Sequence, residues 1–120
     1  MKHKIWYQED DQITYLEFVG DLLRVDVDPV FLEVNKVLTG KPYRQLIIKM
    51  SKVHKVENRE TRELSNEGLR KMNLTEVAFV GGSASNRMIA KVLIKTGVIK
   101  INGNFFKTYE EATEWLKSKR

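Results

Sequence analysis

The sequence contains no cysteine among its 120 residues. That excludes disulfides, zinc–thiolate sites and thiol nucleophiles, and it fits a reducing compartment. Histidine is scarce as well, with His3 and His54 alone. His54-x-x-Glu57 is only half of a metal or acid/base pair, and no serine is tied by spacing to either histidine, so no Ser-His-Asp arrangement can be argued. Long apolar runs are missing. Val77-Ala78-Phe79-Val80 falls far short of a membrane span, and Met1-Lys2-His3-Lys4-Ile5-Trp6-Tyr7 is too short and too polar for a signal peptide. There is no internal repeat, linker or low-complexity tract. These absences lead to the expectation of a cytoplasmic protein that is not an enzyme, holds no cofactor or metal, and does not engage a membrane.

Charge of a single sign is lacking too. The net charge of +5 comes from 21 basic residues interleaved with 16 acidic ones. The stretch 58–72 alternates Arg59, Glu60, Arg62, Glu63, Glu67, Arg70 and Lys71, the pattern of a solvated helix face. Only Lys117-Ser118-Lys119-Arg120 is purely basic, and it reads as a frayed tail. The balance weighs against nucleic acid as a partner.

What is present is a globular composition, 42% hydrophobic, in a length that fits one domain over residues 1–120. Strands are expected at Lys4–Gln8 and Ile13–Val19, joined as a hairpin by Glu9-Asp10-Asp11-Gln12. Asp28-Pro29 reads as a helix start, with Val30, Phe31, Val34, Val37 and Leu38 on its inner face and Gly40 ending it. The apolar run 46–48 within 45–50 is expected to be a buried central strand. A second helix is capped by Asn58, with Thr61, Leu64, Gly68 and Met72 inward, and Gly68 implies close packing against the sheet. A strand at 76–80, a helix over 84–96 with Met88 inward and a helix opened by the capping box Thr108-Tyr109-Glu110-Glu111 complete the chain. Asn102-Gly103 is either a hairpin turn between 98–101 and 105–107 or a loop before one edge strand. The expected fold is thus α/β: a mixed sheet with an antiparallel N-terminal hairpin, parallel central strands and about four helices.

One surface stands out. In a parallel sheet the turns after the central strands emerge at the same edge, which ligands and partners favour. Asn58 and Arg59 are therefore expected near the loop Gly81, Gly82, Ser83, Ser85, Asn86 and Arg87. Two glycines followed by hydroxyls at a helix start could present backbone N–H groups to an anion, with Arg87 adding charge. The reading these residues favour is nevertheless the plainer one, a tight βα turn with Ser83 or Ser85 as N-cap.

Four stretches, 46–53, 76–83, 86–94 and 106–116, resemble the sulphate-transporter and anti-anti-sigma (STAS) domain family. They are closest to its small stand-alone bacterial members of unassigned function. The last stretch, Phe106-Lys107-Thr108-Tyr109-Glu110-Glu111-Ala112-Thr113-Glu114-Trp115-Leu116, carries most of the likeness. The resemblance implies a regulatory protein-interaction module. The family's phosphoswitch pattern, Asp-Ser-Ser/Thr-Gly, falls on Glu57-Asn58-Arg59-Glu60, so no phosphorylation site is expected and Arg59 stands where the switch serine would be. The architecture also resembles SEC14-like lipid carriers, which keeps a small apolar or anionic ligand as the alternative.

The last expectation is self-association. Phe105 and Phe106 are adjacent on a candidate edge strand, as are Trp6 and Tyr7, and alternation would turn one of each pair outward. Either these rings form a homodimer interface or the last helix covers them through Tyr109 and Trp115.

Overall fold

In the computed structural model the N-terminal hairpin forms as read: β1 (Lys4–Gln8) runs antiparallel to β2 (Ile13–Val19), with Trp6 opposite Tyr15. Gln12 closes the turn in a left-handed conformation, φ 57°, and its N–H bonds to the Gln8 carbonyl at 2.8 Å. The chain continues through α1 (Arg24–Leu38), β3 (Gln45–Lys52), α2 (Arg59–Lys71), β4 (Glu76–Val80), β5 (Asn102–Phe106) and α3 (Tyr109–Ser118). The structure describes residues 2–52, 55–84, 87, 88, 91 and 102–120. The helix expected at 84–96 lies largely outside them, although Ala84, Arg87, Met88 and Lys91 have helical backbone.

The strands lie side by side in chain order, and every pairing after the hairpin is parallel. Each crossover therefore steps in the same direction, and right-handed crossovers of that kind place their helices on one face. The packing follows. Leu16, Ile48, Val77 and Phe79 on one face meet Val30 and Val34 of α1 and Leu69 of α2 in one core. On the other face Ile13, Ile47 and Ala78 meet Ala112 and Leu116 of α3 in a second core. Two layers on opposite sides of the sheet explain why β3 and β4 are apolar on both faces.

Several expectations need correction. Helix α1 begins at Arg24, not at Asp28, so Pro29 lies inside it. The start is fixed by Asp26, whose carboxylate accepts from the Leu23 N–H at 3.0 Å. Proline removes one helical hydrogen bond, but the carbonyl it leaves belongs to Val25, which is 74% exposed and within reach of water. Gly68 packs not on the sheet but under the ring of Phe31 in α1. Asn102 and Gly103 form neither a turn nor a loop; they are strand residues opposite Glu76 and Val77. Met88 is 67% exposed rather than inward, its unbranched thioether facing water.

The basic C-terminal cluster is not frayed. Lys117 pairs with Asp11 at 2.8 Å, and Arg120 donates to Gln45 Oε1 at 3.2 Å and to the Asp11 carbonyl at 2.6 Å while its guanidinium lies 4.0 Å over Tyr43. Phe105 and Phe106 turn to opposite faces. The first stacks on Phe79 at 4.9 Å and the second packs on Trp115 at 5.4 Å, while Trp6 stacks on Tyr15 at 5.1 Å.

Candidate functional site

The parallel strands β2, β3 and β4 end at a common edge, and the segments that follow them are tied together there. Leu22, after β2, bridges to Val56, after β3. The Leu22 N–H bonds to the Lys55 carbonyl at 3.1 Å, and the Glu57 N–H bonds back to the Leu22 carbonyl at 2.9 Å. This extends the sheet by one rung beyond the strands and fixes the starts of α1 and α2 relative to each other.

Side chains complete the join. The Arg24 N–H, one of the unpaired donors at the start of α1, bonds to Glu57 Oε2 at 2.6 Å. The Arg24 side chain reaches Glu60 of α2 at 3.0 Å. Below them, His3 is buried and acts as a wedge. Its Nδ1 accepts from the Val19 N–H at 3.0 Å, so its Nε2 carries the proton and donates to Asp26 at 3.3 Å. Burial pushes the Asp26 carboxyl up, but the Leu23 N–H, His3 and Lys2 outweigh it and hold its pKa below the ordinary value. Asp26 thus stays ionised while it caps α1.

Of the residues singled out in the sequence, Asn58 is the N-cap of α2: its Oδ1 accepts from the Thr61 N–H at 2.8 Å and the Thr61 hydroxyl at 2.7 Å. Arg59 is exposed and pairs with Glu63 along the helix at 3.1 Å. Gly81 and Gly82 both have positive φ, 76° and 88°. Gly82 also lies against Met50 of β3, where a Cβ would stand 3.0 Å from the methionine Cε. The turn thus requires glycine for conformation and for close approach. Ser83 and Arg87 are exposed on the same edge, and the Arg87 N–H closes the first helical turn onto the Ser83 carbonyl at 3.0 Å. Ser85 and Asn86 lie outside the described residues, as does His54.

The sequence reading weighed Glu57 and His3 only for metal or acid/base chemistry and did not find their role here, nor Arg24, Glu60 or Asp26. Only the spacing of Asp26 three residues after Leu23 carried a signal, and the ambiguous run 22–27 hid it. The edge also presents Leu23 and Val25, 37% and 74% exposed, and Asp21 buries one carboxylate oxygen there without a hydrogen-bond partner among the described residues. Among the described residues, no group of three or more acidic or histidine side chains could hold a metal ion, and no helix is long and apolar enough to cross a membrane.

Among the described residues, a mixed sheet with an antiparallel leading strand carries α1 and α2 on one face and α3 on the other, and this arrangement is similar to that of SpoIIAA-like α/β domains. The match is direct: the crystal structure of an uncharacterized protein of the DUF3478 family with a SpoIIAA-like fold, from Shewanella loihica, superposes with a TM-score of 0.71 at 17% identity, over 95% of this chain and 91% of that one. The chain itself belongs to the family described as domain of unknown function DUF7793, whose model matches residues 6–120. No curated protein matches it.

Proposed function

We propose that this domain is a non-enzymatic interaction module of STAS type, regulatory in role, that meets a protein partner at the edge where β2, β3 and β4 end. The observation that carries the reading is the rigid join of two helix starts through Leu22, Arg24, Glu57 and Glu60. It holds Leu23 and Val25 in water at the same strand-end edge as Arg59, an exposed apolar pair in a polar frame. Preorganised surfaces of this kind lower the entropy lost on binding. Arg59 stands where the STAS switch serine would be, so partner binding would run without phosphorylation at that position.

A photo-crosslinking residue at Val25 tests this in cells of the source organism, with the same residue at Gln12, on the opposite edge, as control. One protein captured at 25, absent at 12 and lost when Leu23→Glu is added supports the reading. Equal labelling at both positions, or none, overturns it.

A second reading has its own observation. A groove of about 640 Å³ runs between α1 and α2, lined by Val27, Phe31, Leu32, Leu64 and Met72 among others. It suits a small apolar ligand. Native mass spectrometry of freshly purified protein decides, because a bound ligand adds mass to the 14.0 kDa chain.

A further inference from the structure

Beside the groove that α1 forms with α2, and sharing Asp28 and Leu32 with its lining, α1 carries three exposed residues in a line: Asp28, Leu32 and Lys36, each one turn from the next. Leu32 is 62% exposed, and Pro29 and Asn35 flank it, also exposed. The neighbouring charges of α2 are satisfied, since Glu67 pairs with Arg70 and Lys71. Asp28 and Lys36 take part in no ion pair among the described residues. Their signs suit the dipole of their own helix, but that does not account for an open leucine midway between them.

The arrangement is self-complementary. At about 1.5 Å rise per residue, Asp28 and Lys36 stand about 6 Å to either side of Leu32 along the axis. A two-fold axis through Leu32, perpendicular to the helix, brings a second copy of α1 alongside in antiparallel orientation. Leu32 then meets Leu32, Asp28 of each copy meets Lys36 of the other, and Pro29 meets Asn35. We propose that the chain pairs with itself through this face of α1, as an isologous dimer closed by two reciprocal Asp28–Lys36 bridges. The face is separate from the strand-end edge and does not rest on that reading.

A single helix face of 15 residues is smaller than a standard interface of about 800 Å² per partner, so the dimer is a weak one, with Kd in the micromolar range or above. Sedimentation equilibrium over about 10 μM to 1 mM is the measurement. The expected mass average rises above 14.0 kDa with concentration. Leu32→Glu, at an exposed site where circular dichroism can confirm an unchanged fold, is expected to hold the chain monomeric throughout. Asp28→Lys or Lys36→Asp alone places like charges across the axis and is expected to raise Kd about tenfold. The double variant restores the bridges with reversed sign, and its Kd is expected to return to within about threefold of the original. A monomer at every concentration overturns the proposal. So does a dimer indifferent to Leu32→Glu, which would use another surface, or a double variant no tighter than the singles.

Discussion

Gly68 of α2 lies beneath the ring of Phe31 of α1, so close that a Cβ at position 68 would stand 2.8 Å from Phe31 Cδ2 and 3.0 Å from Cγ. Those are ring atoms of a buried side chain, not the free end of a flexible one. Alanine in a helix interior gains about 1 kcal/mol over glycine, whereas forcing a tightly packed interface apart costs about 1–3 kcal/mol. The contact decides the sign. Gly68→Ala is expected to lower stability by about 1 kcal/mol, read as a fall of several degrees in Tm. Adding Phe31→Leu is expected to cost less in the Gly68→Ala background than in the wild type, a coupling that a double-mutant cycle measures.

Asp26 gives the fold an acid-sensitive joint. Its carboxyl is held below the ordinary value in the folded chain, so its contribution is complete above the unfolded pKa, near 4, and is lost as pH falls through the folded value. Asp26→Ala is expected to cost about 1–2 kcal/mol at neutral pH, the usual scale for a helix-start acceptor. The gap between variant and wild type should narrow as pH drops below about 4. Urea melts at pH 7, 5, 4 and 3 check it, and a constant gap would mean that Asp26 acts through packing alone.

Strand and helix order was legible because hydrophobic pattern and turn chemistry are local. The hairpin, the Asn58 cap, the Thr108 capping box and the buried runs of β3 and β4 all declare themselves within a few residues. The start of α1 did not, because Asp28-Pro29 is a strong local signal and the determinant that wins, Asp26, is held by His3, 23 residues earlier in the chain, and by Lys2. The same holds for the edge. The topology placed Asn58, Arg59 and the Gly81-Gly82 turn on one side of the sheet, but the ties that organise it, Leu22 with Lys55 and Glu57 and Arg24 with Glu60, span more than thirty residues. Charged residues on a helix read as solvated faces until a second helix is known to start beside them.

Tyr15 titrates late. It stacks on Trp6, meets Tyr109 edge-on and is buried, and burial, with Asp11 and Tyr109 nearby, pushes its phenol up to about 12. A folded pKa above the unfolded value near 10 means that the stability it contributes is intact below pH 10 and is lost as pH rises toward 12. Phenolate absorbance is expected to show a final step near pH 12 in the wild type. Tyr15→Phe should remove that step and flatten the loss of stability above pH 10. Retention of the late step in Tyr15→Phe would assign it to another tyrosine.

Gln45 is the buried polar pin of the α3 layer. It is 1% exposed, yet every group on its amide is used: Nε2 donates to the Leu116 carbonyl at 2.8 Å and to Glu76 at 2.9 Å, and Oε1 accepts from Arg120 at 3.2 Å. It links the first residue of a central strand to the last turn of α3 and to the terminal arginine. Gln45→Leu keeps the volume but removes three hydrogen bonds, including one of the two to the Leu116 carbonyl, which keeps the Lys119 N–H at 3.1 Å, and each lost bond is worth about 0.5–1.5 kcal/mol net. The apolar side chain recovers part of that by transfer from water, so the net loss is expected near 2 kcal/mol. The effect should be local as well as global. With the pin gone, the apolar contacts of Ala112, Trp115 and Leu116 and the ties of Lys117 and Arg120 to the hairpin turn remain, but the last turn of the helix loses its direct bond to β3. Hydrogen exchange in 109–118 is expected to quicken more than in α1, whose core lies on the opposite face of the sheet. Uniform acceleration across both helices would show that the two layers unfold as one unit and that Gln45 pins the whole sheet rather than α3.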